Sequence, residues 1–129
     1  MKHYNVVAAV VCHNGKYLCM QKGKTKLEYT SYKWEFPGGK IEPGETPQQA
    51  LARELMEEME YPVEVGGKLV TVNHEYPYFS ITMTAFLCKP KGDANGFKRR
   101  EHADSKWCSK DEMMWLDLAA ADMGIVSVL

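Results

Sequence analysis

The sequence predicts a mixed α/β (α+β) domain in which helices pack on a mixed β-sheet. Several segments of strand length recur along the chain, β-branched or alternating in polarity. One long helical segment with an apolar stripe stands among them, and turn-rich loops join the pieces without a linker, repeat or low-complexity stretch. A chain of 129 residues with 45% hydrophobic content has the size of one domain, residues 1–129, and enough apolar side chains for a core.

The elements follow in order. "YNVVAAVVC" is β-branched and nearly all apolar, as expected of a strand covered on both faces. "HNGK" carries the Asn-Gly signal of a tight hairpin, and "YLCMQK" returns as its partner. "GKTKLEYTSYK" is polar and reads as a loop, and "WEFPGGK" as a short strand entering a Pro-Gly-Gly turn. Thr46 reads as an N-cap with Pro47 at the first helical position, and the helix runs to about Met59. "VEVGGKLVTVNHEY" and "YFSITMTAFLCK" read as strands, the second with Ile81, Met83 and Ala85 facing one way. "PKGDANG" is a loop, "SKWCS" a last short strand and "KDEMMWLD" a short helix. The tail "AADMGIVSVL" is too short to assign.

Composition removes several function classes. The net charge is −1, and the one basic run, "FKRREH", reads as a solvated edge or hairpin tip, so binding to a nucleic-acid polymer is not expected. No apolar stretch reaches the roughly 18 residues of a membrane span, and the N-terminus reads as a strand and not a signal peptide. Cys12, Cys19, Cys88 and Cys108 form no CxxC pair, and no histidine has metal-ligand spacing. Reduced, mostly buried thiols in a cytoplasmic protein are the simplest reading.

The helix at 47–59 is where the charge is unusual. With Glu54 as angular origin and about 100° per residue, Glu57 falls near −60° and Glu58 near +40°. Ala52, Leu55, Met56 and Met59 fall on a separate apolar sector. Between Pro47 and Tyr61 there is one arginine against four glutamates and no lysine, a segment charge of −3. Like charges one turn apart destabilise a helix by roughly 0.2–0.5 kcal/mol per pair. A hard divalent cation, Mg²⁺ or Mn²⁺, relieves that repulsion directly; a solvated face is the plain alternative. The preceding "PGGKIEPGE" holds three glycines and two prolines in nine residues, so its backbone can approach a ligand closely. Loop and acidic helix together describe a site where metal ions bridge phosphates to protein.

Read as a pattern, Gly39-x5-Glu45-x7-Arg53-Glu54-Leu55-x-Glu57-Glu58 resembles the Nudix box at every position except its last glycine, where this chain has Glu60. "WEFPGGKIEPGE" looks like the MutT subgroup, and "EH", "WCS" and "AAAD" are similar to pyrimidine-nucleotide pyrophosphohydrolases within it. The resemblance implies the Nudix fold, a mixed sheet sandwiched between helices. It implies Mg²⁺ held by Glu54, Glu57 and Glu58, with the Gly39 carbonyl and Glu101 as further ligands. Glu54 is the choice for general base, Glu57 the least replaceable ligand, and Arg53 orients the glutamates together with Glu45. Lys22 falls where a basic residue meets the phosphates, and Asp122 where a side chain reads the base, with an N-cap as its plain alternative. Glu35 joins these as a substrate-contact candidate, and Phe36 and Tyr78 are the aromatic pair singled out for stacking among several near the loop.

The activity so implied is hydrolysis of a (d)NTP, such as 8-oxo-dGTP or a cytosine nucleotide, to monophosphate and pyrophosphate in nucleotide-pool sanitation. Two alternatives stand beside it: another nucleoside diphosphate-X substrate (ADP-ribose or a dinucleoside polyphosphate), and a non-catalytic nucleotide-binding module. Monomer and homodimer are both compatible with the sequence. Pro62 disfavours helix at Tyr61, so the helix should still end near Glu60.

Overall fold

The computed structural model describes residues 1–129. Its strands are β1 (Lys2–His13), β2 (Lys16–Lys22), β3 (Trp34–Glu35), β4 (Gly38–Lys40), β5 (Val63–Glu75), β6 (Phe79–Pro90) and β7 (His102–Cys108). Its helices are α1 (Pro47–Met59), α2 (Lys110–Met113) and α3 (Ala120–Val126). The mixed α+β architecture expected from the sequence is what the chain adopts. The sheet runs β3-β2-β1-β6-β5, with β4 on β1 and β7 on β2. Only β1 and β6 run parallel; the other strand pairs are antiparallel.

The alternation of β1 explains the two layers. Val7, Ala9 and Val11 face a core built with Leu51, Leu55 and Met59 of α1. Ala8 and Val10 face the other core, with Met83 and Ala85 of β6 and Ile125 of α3. Both faces of β1 are therefore apolar because both are covered. Ile81 packs at the edge of the second core, so the three β6 residues share a face.

Local chemistry fixes the element ends. Asn14 and Gly15 both take positive φ, 52° and 75°, as the tight turn between β1 and β2 requires. Thr46 caps α1 through a reciprocal pair: its Oγ1 accepts from the Gln49 N–H at 3.1 Å, and its own N–H donates to Gln49 Oε1 at 3.0 Å. Glu60 ends α1 in the left-handed conformation, φ 47° and ψ 42°, where glycine would be unstrained.

Some expectations change in detail. The strand at "SKWCS" extends back to His102, because β7 pairs along β2 from Tyr17↔Cys108 to Lys22↔His102. The loop at 23–33 contains a 3-10 turn, Glu28–Thr30, bound to Thr25 Oγ1. The helix at "KDEMMWLD" is a single turn, and the unassigned tail forms α3. All four cysteines are free, with Cys19, Cys88 and Cys108 buried. No helix is long and apolar enough to cross a membrane.

Candidate active site

Arg53 is the hub of the acidic helix. Its Nε and Nη2 donate to the two oxygens of Glu45 at 2.7 and 2.9 Å, a bidentate pair. Its Nη1 donates to Glu54 at 3.0 Å and Glu57 at 3.1 Å, and Nη2 also reaches the Lys40 carbonyl at 3.0 Å. One guanidinium thus ties the glycine-rich loop, through Glu45 and the Lys40 carbonyl, to two carboxylates of α1. The Arg53 hydrogen bonds hold the Glu45 carboxyl below the usual carboxylate range.

Gly38 and Gly39 are required for close approach. A Cβ on Gly38 would enter the Val7 carbonyl of β1, and one on Gly39 would collide with the carboxyl of Glu54. The Glu54 side chain is 13% exposed, whereas that of Glu57 is 60% exposed on the outer side of α1. Glu58 turns into the cleft, where Glu101 joins it. Burial first, then Glu101 and Glu54, push the Glu58 carboxyl up to about 8.

These residues fit a hard divalent ion in donor chemistry: carboxylate and carbonyl oxygens only, around an acid that a positive charge would ionise. They do not form a closed shell as they stand, since no three acidic, histidine or cysteine side chains converge to metal-holding geometry. The physical reason is Arg53, which draws Glu54 and Glu57 toward itself. The sequence expectation of uncompensated charge is corrected to that extent.

The cleft has a volume of about 650 Å³ and places Lys22, Glu35, Phe36 and Asp122 together with Glu58 and Glu101. Lys22 Nζ lies 3.5 Å from Glu35 Oε1, and His102 Nε2 lies 3.2 Å from Glu35 Oε2. Asp122 is 5% exposed, and its Oδ1 accepts from the Phe36 N–H at 2.9 Å. Burial, then Glu35, push its carboxyl up to about 8. Asp122 is not an N-cap: Ala119 holds that position, and the Asp122 N–H donates to its carbonyl at 3.0 Å.

Tyr78 requires a correction. It is 74% exposed at the tip of the β5–β6 turn and does not line the cleft. The Tyr76 N–H donates to the Phe79 carbonyl at 2.7 Å, closing the turn so that Tyr78 projects into solvent. Its neighbours Tyr76 and Phe79 are the aromatic wall, stacked at 4.8 Å between centroids. Phe36 is 3% exposed and belongs as much to the core as to the cleft.

His102 was missed by the sequence reading. It is buried against Glu35, and its Nδ1 has no partner. Only the register of β7 on β2, which puts His102 opposite Lys22, brings it there.

Residues 1–127 match the NUDIX domain family. The chain is 35% identical to the CTP pyrophosphohydrolase of Escherichia coli (strain K12), over 98% of this chain and 90% of that protein. It is 41% identical over 88 residues to the 8-oxo-dGTP diphosphatase of Proteus vulgaris, 67% of this chain and 76% of that one. The solution NMR structure of a DNA mismatch repair protein MutT (family Nudix hydrolase) from methicillin-resistant Staphylococcus aureus 252 is similar with a TM-score of 0.73. That pair is 35% identical over 98% of this chain and 95% of the other. The chain belongs to the Nudix family, and the relatives it resembles are MutT-type hydrolases.

Proposed function

We propose that this protein is a Mg²⁺-dependent nucleoside triphosphate pyrophosphohydrolase, yielding a nucleoside monophosphate and pyrophosphate, and that it works as one Nudix domain. The observation that carries the reading is the half-buried Glu58 facing Glu101 and Glu54 beside the Gly38–Gly39 wall. A carboxyl crowded by two others in a cleft is costly to ionise unless a cation serves it.

Glu54, Glu57, Glu58, Glu101 and the Gly39 carbonyl would hold the ion, with Mn²⁺ as a substitute. Bound there, the metal supplies charge neutralisation on phosphate oxygens and lowers the pKa of a coordinated water. Glu54 takes the proton of the attacking water as general base. Arg53 keeps Glu54 and Glu57 oriented, and Lys22 offers its ammonium to the phosphates.

The base end of the cleft has Asp122 and Glu35 as readers and Tyr76 and Phe79 as an aromatic wall. With Oδ1 bound to the Phe36 N–H, the other oxygen of a protonated Asp122 donates to a bare ring nitrogen, which cytosine presents on its pairing edge. Cytosine nucleotides are therefore the first substrates to test, and 8-oxo-dGTP the second. Three buried free thiols suit a reducing compartment such as the cytoplasm. Nucleotide-pool sanitation is the role that such an activity serves.

The experiment is a panel of triphosphates, including dCTP, 5-methyl-dCTP and 8-oxo-dGTP, assayed with Mg²⁺ for pyrophosphate and phosphate separately. Pyrophosphate release from one of them supports the reading. Phosphate release alone, or turnover confined to ADP-ribose, overturns it.

A further inference from the structure

We propose that Glu60 is a positioning residue that clamps the segment Lys98–Glu101 onto the C-terminal end of α1 and so sets Glu101 against Glu58. The inference rests on the reading of Glu58 and Glu101 as metal-binding carboxylates. Glu60 stands where the box pattern has glycine, and it adopts the left-handed backbone that glycine would take without strain. A glutamate kept in that conformation calls for a compensating role.

Its contacts supply one. Glu60 Oε2 accepts from Lys98 Nζ at 2.7 Å and from Arg100 Nη2 at 2.5 Å. Arg100 Nη1 donates to the Glu57 carbonyl at 3.3 Å, and the Lys98 N–H donates to the Met59 carbonyl at 2.8 Å. The segment therefore satisfies helix-end carbonyls while its cations grip the residue that ends the helix. The basic run that reads from sequence as a solvated edge is tethered at both of these cations.

Glu101 follows directly and shares the cleft with Glu58. Two carboxylates repel, so a loop carrying Glu101 tends to swing outward until a cation binds. The tether at residues 98 and 100 opposes that motion before any ion arrives. Glu60 touches neither substrate nor metal site; it acts through Arg100 and Lys98.

The test compares the full chain with Glu60→Gly and Glu60→Gln. In metal-free protein, hydrogen exchange at the Lys98 amide should quicken about three- to tenfold in both variants, the range for losing two exposed ion pairs. With Mg²⁺, kcat/KM for pyrophosphate release should fall by a similar factor, with a raised Mg²⁺ requirement. Glu60→Gly should nevertheless melt at or above the wild-type temperature, because glycine relieves the left-handed backbone. A residue that only ends the helix would give a stable glycine variant with unchanged exchange and unchanged turnover, and that result overturns the proposal. Faster exchange with wild-type kcat/KM and Mg²⁺ requirement overturns it as well. If the wild-type chain releases no pyrophosphate from any triphosphate, the proposed function fails. The exchange arm, which needs no substrate, then still decides whether Glu60 holds the segment.

Discussion

The backbone N–H of Phe36 donates to Oδ1 of Asp122 at 2.9 Å, joining the end of β3 to the first turn of α3 inside the cleft. That bond takes up one carboxyl oxygen and leaves the other for a ligand. It also makes Asp122 a structural acid as well as a candidate base reader.

The raised Asp122 carboxyl has a defined consequence for stability. Its folded pKa, about 8, lies above the ordinary aspartate value of 3.8, so in that window the folded state holds a proton that the unfolded state has lost. Stability then falls as pH rises from about 4 to about 8, by at most roughly 1.4 kcal/mol per pH unit for one group. Asp122→Asn keeps the acceptor for Phe36 and removes the titration. Its unfolding free energy, followed by urea denaturation from pH 5 to 8, should decline less steeply than wild type. Parallel declines would remove Asp122 as the source.

Glu57 is exposed and carries no packing, so Glu57→Gln should leave the melting temperature nearly unchanged. Loss of one metal carboxylate should lower kcat at least about 100-fold, equivalent to roughly 3 kcal/mol of transition-state stabilisation. Calorimetry alongside the pyrophosphate assay separates the two effects. Wild-type turnover would place Glu57 outside the chemistry.

Arg53 joins Glu45, Glu54, Glu57 and the Lys40 carbonyl in one network. A lysine cannot reproduce that fork. Arg53→Lys should cost about 1–3 kcal/mol of stability, the scale for hydrogen bonds to charged groups, and reduce kcat more than KM. Denaturant unfolding and steady-state kinetics check both numbers. An unchanged kcat would reduce Arg53 to a tie for the loop.

Tyr76 and Tyr78 differ in placement although they are near neighbours in sequence. Tyr78→Ala should leave KM for the preferred nucleotide within about twofold of wild type. Tyr76→Ala should raise it, since an aromatic stack on a base contributes about 1–3 kcal/mol. The opposite ranking would show that the β5–β6 turn folds back over the nucleotide.

Much of the acidic helix was legible in the chain. Thr46 and Pro47 fix its start and the apolar periodicity its length, as local effects of capping and the 3.6-residue repeat. Of the expected apolar stripe Leu55 and Met59 are buried, while Met56 is exposed; Ala50 and Leu51 complete the buried face because β1 packs on that side. The hairpin at Asn14-Gly15 and the shared face of Ile81, Met83 and Ala85 were legible for the same reason. The resemblance to the Nudix box carried the candidate ligands. It did not carry where Arg53 would pull them.

What the sequence determined by itself is most of the strands, the Asn14-Gly15 hairpin and an acid-rich helix next to a glycine loop. These depend on neighbours within a few residues. Tertiary structure decided that Glu58 rather than Glu57 turns into the cleft, that Tyr76 and Phe79 rather than Tyr78 wall it, and that His102 meets Glu35 in the cleft that Asp122 also lines. Those placements depend on strand register and on which charge reaches Arg53 or Glu60 first. Contacts between residues dozens of positions apart follow from packing the whole sheet, and no local pattern encodes them.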